Sequence, residues 1–175
     1  MIGKRRILGT LVVALVALVA ACAHGNLGSG SGADVELNVQ NAASNPIVTS
    51  SPNTEGTACT FTVTGISFSL KNQALNASAG SPFSDIQMEA VAITYEWLNP
   101  PAGAVTADRM YVAGLVPVNG SLSLPVLPIR LDYVSPDLAG KTANLTLTFS
   151  CRTNDGHSVQ AMAKGRTLSI NSCVL

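Results

Sequence analysis

The 175-residue chain has few charged, aromatic and histidine residues, and each shortage excludes a class of function. Charged residues make up 11% of the sequence and aromatic residues 5%, so no basic stripe interleaved with aromatic rings exists to bind nucleic acid. Of the two histidines, His24 lies in a Gly/Ser-rich stretch and His157 in a turn sequence, which provides neither a metal cluster nor a nucleophile–base pair. We predict a protein that is not an enzyme and has no cofactor, metal ion or nucleic-acid partner.

The carboxylates are sparse and carry only weak alternatives to that prediction. Asp132 and Asp137 flank a proline turn, but their spacing matches no known calcium-binding loop. A glycosidase needs two carboxylates close together in space, which spacing along the chain does not reveal. An envelope hydrolase that uses Asp132 or His157 is therefore the least favoured function.

Residues 1–21 have the pattern of a secretory signal peptide. A basic cluster at Lys4, Arg5 and Arg6 precedes the uncharged apolar run 7–21. The run ends in the residues VAAC, which resemble the lipobox of bacterial lipoproteins. The resemblance implies cleavage before Cys22 and attachment of a diacylglycerol to its sulfur. The alternative is an ordinary signal peptide that is cut near Ala21.

A lipidated Cys22 implies a location in the bacterial cell envelope. Two or three acyl chains hold a protein stably on a membrane, whereas one chain holds it only marginally. Ala23 follows the cysteine instead of Asp, which in the lipoprotein sorting pattern implies the outer membrane, with the folded part facing the periplasm or the cell surface. We expect residues 22–44 to form a Gly/Ser-rich flexible tether and residues 45–175 to form one folded domain.

Alternation of apolar and polar residues predicts β-strands beyond the tether. Residues 59–70 alternate with a change of parity at Gly65, where we place a β-bulge. Residues 85–97 change parity near Ala90, which predicts a second bulge. Residues 143–151 alternate without interruption and form the clearest strand.

The segment after that strand predicts a hairpin. A three-residue loop with Gly156 in the left-handed region places large side chains opposite small ones on one buried face. The loop pairs Cys151, Phe149, Leu147 and Leu145 with Val159, Ala161, Ala163 and Gly165, respectively. The parity changes again after Gly165, so that Leu168 and Ile170 continue the buried face.

Proline and short polar residues locate the edges of the fold. Pro117, Pro125 and Pro128 cannot donate to a β-ladder, which confines the segment from Arg109 to Tyr133 to sheet edges or bends. Residues 41–58 are rich in Asn, Ser, Pro and Gly and predict an irregular lead-in. About seven short strands predict an all-β, antiparallel sandwich of the immunoglobulin or fibronectin III type. A small eight-stranded β-barrel is the alternative fold.

Three cysteines remain after the lipobox, and in an oxidising compartment two of them are expected to pair. Strand parity favours Cys59 with Cys151, which resembles the inter-sheet bridge of immunoglobulin domains. Depth along the strands favours Cys59 with Cys173, because Cys59 opens its strand and Cys173 closes the last one. We expect the Cys59–Cys173 bond, with Cys151 buried and inert, and keep Cys59–Cys151 as the alternative.

The lipobox, the segment SPFSDIQMEAVAITYEW and the closing hairpin LTLTFSCRTNDGHSVQAMAKGRTLSI together resemble bacterial lipoproteins with an immunoglobulin/fibronectin III-like domain of unassigned role. The resemblance covers most of residues 45–172 and supplies no active residues. Chains of that group often carry Gly where this one has Cys151.

These patterns favour two functions over that of a hydrolase. The first is a non-catalytic binding or structural lipoprotein, anchored to the membrane by lipid, that contacts an envelope protein through the edge segment 110–131. The second is a module that binds carbohydrate or another small ligand, with Tyr95 and Trp97 as candidate ligand contacts.

Overall fold

The computed structural model describes residues 35–40, 44–76 and 80–173. The predicted signal peptide, the lipidation site Cys22 and most of the predicted tether lie outside these residues. The described residues form nine strands: β1 (Val35–Gln40), β2 (Ile47–Pro52), β3 (Cys59–Val63), β4 (Ile66–Ala74), β5 (Ile86–Leu98), β6 (Ala107–Val116), β7 (Ser121–Val126), β8 (Thr142–Thr153) and β9 (Ser158–Ile170). Within this part of the chain, no helix is long and apolar enough to cross a bilayer.

The strands form two sheets that pack face to face around one core. The larger sheet has the order β3-β2-β9-β8-β5-β6, and the smaller has the order β1-β4-β7. Neighbouring strands are antiparallel except β2 and β9, which pair in parallel. The rings of Phe68 on β4 and Phe149 on β8 meet edge to face across the sheets, with centroids 5.4 Å apart. The chain is therefore a β-sandwich and not a closed barrel.

The order of the strands matches the immunoglobulin-type arrangement. Strands β1, β4 and β7 take the places of strands A, B and E, and β5, β8 and β9 take those of C, F and G. Strand β6 extends the larger sheet beyond β5, as strand C′ does in variable-type domains. The hairpin of β2 and β3 is an addition at the opposite edge of that sheet.

The structure confirms the predictions for the central strands. The register between β5 and its neighbours shifts between Met88 and Ala90, where the bulge was expected. Gly156 has a positive φ of 95°, and β8 pairs with β9 as Cys151↔Val159, Phe149↔Ala161 and Leu147↔Ala163. One predicted pair differs, because Leu145 lies opposite Arg166. Gly165, with φ 75°, is the extra residue that changes the parity.

The structure corrects the prediction of a bulge at Gly65. Strand β3 belongs to the larger sheet and β4 to the smaller one, so residues 64–65 carry the chain from one sheet to the other. A change of sheet reverses which side chains face the core, which is why it produces the same change of parity as a bulge.

Two further strands lie where the sequence predicted none. Strand β2 occupies Ile47–Pro52, inside the segment 41–58 that was expected to be irregular. Strand β1 lies inside the range 22–44 that was assigned to the tether, and its side chains Val35, Leu37 and Val39 are buried in the core. The folded part therefore includes residues before the expected start at residue 45.

The two ends of the sandwich differ in what they carry. At the proximal end, β1 begins at Val35, which pairs with Ala74 at the end of β4. There β5 also begins, and its Ile86 pairs with Val116 at the end of β6. At the distal end, β5 ends at Leu98 and β9 ends at Ile170. The described chain thus starts at the proximal end.

Candidate functional site

The distal end contains a cavity of about 250 Å³ between two connections of the sandwich. One wall comes from the loop that joins β5 to β6, and the other from the two short 3-10 helices that join β7 to β8. The residues that line the cavity are Pro101, Ala102, Gly103, Ala104, Val105, Asp132, Tyr133, Ser135 and Leu138. Pockets that bind drug-sized ligands measure about 300 to 1,000 Å³, so this cavity suits only a smaller molecule.

Tyr95 and Trp97 lie behind the wall of the cavity and do not line it. The two rings stack with centroids 6.1 Å apart, and the Trp97 Nε1–H donates a hydrogen bond of 2.6 Å to the carbonyl oxygen of Val105. Trp97 therefore holds the cavity loop in place. The position of Tyr95, whose side chain is only 3% exposed, does not support its prediction as a direct ligand contact.

The hydroxyl of Tyr95 is buried in a polar neighbourhood. Burial raises the pKa of Tyr95 strongly, and the nearby Asp108 and Tyr133 raise it further. Among the described residues, no group forms a hydrogen bond with Tyr95 Oη or with the buried Oδ2 of Asp108. The other carboxylate oxygen of Asp108, Oδ1, accepts a hydrogen bond of 2.8 Å from the backbone N–H of Arg109.

The charged residues at the mouth of the cavity are already engaged with each other. The Arg130 guanidinium donates two hydrogen bonds to Asp132, of 2.7 and 3.1 Å, and lies 5.0 Å from the centre of the Tyr133 ring. The hydrogen bond with Asp132 raises the pKa of Arg130. Asp132 is thus a member of an exposed ion pair, which at surfaces contributes little to stability.

The two residues that the sequence offered for a hydrolase lie at opposite ends of the sandwich. Asp132 lies at the distal end, whereas His157 lies in the β8–β9 turn at the proximal end. There Asp155 accepts a hydrogen bond from the Thr153 hydroxyl, which lowers the pKa of Asp155. The described residues contain no cluster of three His, Cys, Asp or Glu side chains that could hold a metal ion.

The cysteines are arranged as the depth argument expected. Cys59 and Cys173 form a disulfide bond, with Cα atoms 6.2 Å apart, that closes a separation of 114 residues. Cys151 is unpaired among the described cysteines and is buried beside Met88, with 3.3 Å between the two sulfurs. Burial raises the pKa of the Cys151 thiol to about 12, which removes the reactivity of a thiolate at neutral pH.

The second candidate surface is the free edge of β6. On the described part of the chain, β6 pairs with β5 on one side and with no strand on the other. The side chains on its outer face are Arg109, Tyr111, Ala113 and Leu115, and all four are exposed. Tyr111 is 84% exposed, the highest value for a large apolar side chain in the described residues.

Hydrogen bonding within the pair β5–β6 shows which backbone groups of β6 face outward. The N–H of Tyr95 donates to the carbonyl of Thr106, and in an antiparallel pair the residues alternate between groups that face the partner and groups that face away. In the same register, the backbone N–H groups of Ala107, Arg109 and Tyr111 face the free edge. Asp108 already accepts from Arg109, which leaves Ala107 and Tyr111 as the outward donors.

The cavity was missed from the sequence because its two walls lie about 30 residues apart and contain no motif. Pro100, Pro101 and Pro136 indicated that these segments are loops. They did not indicate that the two loops meet. No family model matches this chain, and no match was found among curated proteins.

Proposed function

We propose that the protein is a membrane-anchored, non-catalytic binding module that docks an envelope protein along the free edge of β6. The signal pattern, the VAAC motif and the Gly/Ser-rich residues after it support the anchor at Cys22. The observation that carries the binding part is the unpaired β6 with its exposed outer row around Tyr111. The resemblance to bacterial lipoproteins with immunoglobulin-like domains is consistent with both parts.

The free edge lacks most of the features that prevent strands from pairing. Natural edge strands are protected by short length, proline, bulges or charged side chains, lysine above all. The charged residues of β6 are Asp108 and Arg109. Strand β6 has ten residues and no proline or lysine, whereas β7, at the same side of the smaller sheet, contains Pro125. A bulge interrupts β6 only after Tyr111. Residues 107–111 therefore form the regular stretch where an added strand can pair.

Strand addition is tested by removing an outward N–H without changing the rest of the edge. A photocrosslinking amino acid in place of Leu115 captures the partner in cells. The crosslink is compared in three proteins: one with Tyr111 intact, one with Tyr111→Ala and one with Tyr111→Pro. Both substitutions remove the ring, but only proline removes the backbone donor. We expect the crosslink to survive Tyr111→Ala in part and to disappear in Tyr111→Pro.

Two controls complete that experiment. The same crosslinker at Asn144, which is exposed on the inner strand β8 and is paired with β5 on one side and β9 on the other, is expected to capture no partner. Thermal melting shows whether Tyr111→Pro is folded. Equal losses in the two Tyr111 variants, or equal crosslinks from Leu115 and Asn144, would contradict docking by strand addition.

The anchor has its own test. Mass spectrometry of the processed protein is expected to find a diacylglyceryl group and acylation on Cys22, and Cys22→Ala is expected to release the protein from the membrane fraction. A processed protein with an unmodified amino terminus in the soluble fraction would remove the anchor from the proposal.

The distal cavity supports a second candidate, binding of a small ligand such as a monosaccharide. The cavity loop is bonded to Trp97, the only tryptophan of the chain, so occupancy is expected to change its fluorescence. Ala104→Phe fills the cavity and is expected to abolish a saturable change, whereas Ala113→Phe on the outer face of β6 is expected to preserve it. If no monosaccharide produces a saturable change, this candidate fails.

A further inference from the structure

The proximal end faces the place where the chain arrives from the anchor. Residues 23–34, twelve in all, join Cys22 to Val35 at the first position of β1. A Gly/Ser-rich chain of that length has a root-mean-square span of about 20 Å. A lipid attached to Cys22 therefore keeps the proximal end close to the headgroups, whereas the distal end lies about 40 Å further along the 13-residue β5.

Exposed apolar side chains stand at this end. Phe83 is 69% exposed, Leu75 is 59% exposed and Leu115 is 47% exposed. Leu75 follows Ala74, the partner of Val35, and Phe83 lies in the short 3-10 helix that precedes β5. Aromatic and aliphatic side chains of this kind are found at the boundary between lipid headgroups and acyl chains.

The backbone that carries Phe83 is held firmly. The Asn154 side chain donates a hydrogen bond of 2.8 Å to the carbonyl of Pro82, and the N–H of Asp155 donates one of 3.2 Å to the carbonyl of Phe83. The buried Asn72 amide donates to the carbonyls of Ser84 and Val116, at 2.9 and 3.1 Å. Phe83 is thus presented at the surface by a braced turn.

We infer that the proximal end docks on the lipid surface to which Cys22 is anchored, with Phe83 and Leu75 at the boundary of headgroups and acyl chains. This inference rests on the proposed anchor. Two side chains would not hold a free protein on a bilayer, but a tether converts their insertion into an intramolecular step at high effective concentration. The sandwich then stands upright, with the distal cavity facing away from the lipid and the regular stretch of β6, residues 107–111, along its side.

The charged residues of the proximal end indicate that the lipid surface it docks on is zwitterionic. Arg152 pairs with Glu89 at 3.1 Å, and His157 lies 3.8 Å from Asp155. Arg152 is neutralised by Glu89, and the described residues of this end make no polybasic patch, which is the feature that binds anionic lipids. Phosphatidylcholine vesicles are therefore a sufficient probe.

The test places a tryptophan at each end of the lipidated full-length protein in phosphatidylcholine vesicles. Phe83→Trp reports the proximal end, and Leu98→Trp, at a site 55% exposed at the distal end, is the matched control. Trp97 alone in the parent protein supplies the baseline. We expect lipids brominated near the headgroup boundary to quench the added Phe83→Trp emission at least twofold more than that of Leu98→Trp.

The outcomes separate docking from anchoring. A protein that fails to float with the vesicles lacks the anchor, which overturns the inference together with the proposed function. A protein that floats but shows equal quenching at the two ends overturns docking alone. If the Phe83→Trp indole becomes shielded from solvent as the protein density on the vesicle rises, but is not quenched by brominated lipid, the proximal end contacts a second copy of the protein. That result would also overturn docking on the lipid. Both substitutions are at exposed sites, and thermal melting confirms their folding.

Discussion

Asn72 is a polar residue in the core that connects three segments of the chain. Its side chain is fully buried on β4, and its amide donates to the carbonyls of Ser84 and Val116. Its backbone N–H donates to the carbonyl of Gly120. These bonds join the smaller sheet to the two ends of the β5–β6 hairpin. The Asn72 side chain therefore fixes the position of the hairpin relative to the smaller sheet at the proximal end.

We expect Asn72→Ala to lower the free energy of unfolding by about 3 kcal/mol. The substitution leaves two buried carbonyl oxygens without donors, and a buried group that loses its partner costs about 1 to 3 kcal/mol. Urea denaturation measures the change. The neighbouring exposed Gln73→Ala is the control and is expected to change stability by less than about 0.5 kcal/mol. Equal effects would show that the amide carries no special role.

Cys151 makes stability depend on pH at the alkaline side. Burial raises its pKa in the folded protein from 9.0 to about 12, so only the unfolded chain ionises between these values. The stabilisation is complete below pH 9 and falls as the pH rises towards 12, by up to about 1.4 kcal/mol per pH unit. We expect the stability difference between the wild type and Cys151→Ala to shrink between pH 8.5 and 10.5. Urea denaturation measures both proteins, and a stability difference that stays constant over this pH range would contradict the prediction.

At the scale of elements, the β2–β3 hairpin is the part most weakly joined to the sandwich. Strand β2 pairs with β9 through only two residue pairs, Ile47↔Ser169 and Val48↔Ile170. Two further contacts come from the Ser50 hydroxyl, which donates to the carbonyls of Asn171 and Ser172. The disulfide bond between Cys59 and Cys173 then ties the hairpin to the end of the chain.

We expect loss of this disulfide to destabilise the protein by about 4 to 5 kcal/mol, because the bond closes a loop of more than 100 residues. Cys59→Ser with Cys173→Ser removes it. Hydrogen exchange is expected to increase first in residues 47–63, while β5 and β8 remain protected. Uniform loss of protection over both sheets would show that the hairpin is not a separate unit.

The sequence predicted the central elements and missed those at the margins for identifiable reasons. Strands β5, β8 and β9 alternate over long stretches, so their bulge and register followed from parity. The change of parity at Gly65 predicted a bulge, because a bulge and a crossing from one sheet to the other reverse the parity in the same way. Strand β1 is only six residues long and follows a Gly/Ser-rich stretch, and β2 is largely exposed, so neither has the apolar pattern of a buried strand.

The candidate site was harder to predict than the fold. The edge position of β6 agrees with the prediction from Pro117, Pro125 and Pro128, which confined the segment from Arg109 to Tyr133 to sheet edges or bends because proline cannot donate to a ladder. The aromatic pair Tyr95 and Trp97 was recognised as a pair, but its position behind the cavity loop, with Trp97 bonded to Val105, did not follow from the sequence. Which loops meet at the distal cavity depends on the packing of two sheets, and local sequence contains no record of that packing.

At the scale of the whole molecule, the structure separates its surfaces by position. The proximal end begins with Val35 and presents Phe83, the edge of β6 runs along one side, and the distal end holds the cavity and the disulfide. Leu115 belongs both to the proximal end and to the edge of β6, whereas the regular stretch 107–111 lies clear of the proximal end. The proposed contacts with a membrane, a protein and a small ligand are therefore compatible on one molecule.

The position of the disulfide also determines how this protein responds to mechanical tension. When the molecule is pulled between the proposed anchor at Cys22 and its carboxyl end, the covalent path runs through residues 35–58 and then crosses from Cys59 to Cys173. Only those 24 residues can be drawn out, to about 85 Å at full extension, and the rest of the sandwich stays slack. Single-molecule stretching is expected to show this short limit, and a reducing agent is expected to lengthen it to about 500 Å. The bond thus keeps most of the domain folded under tension.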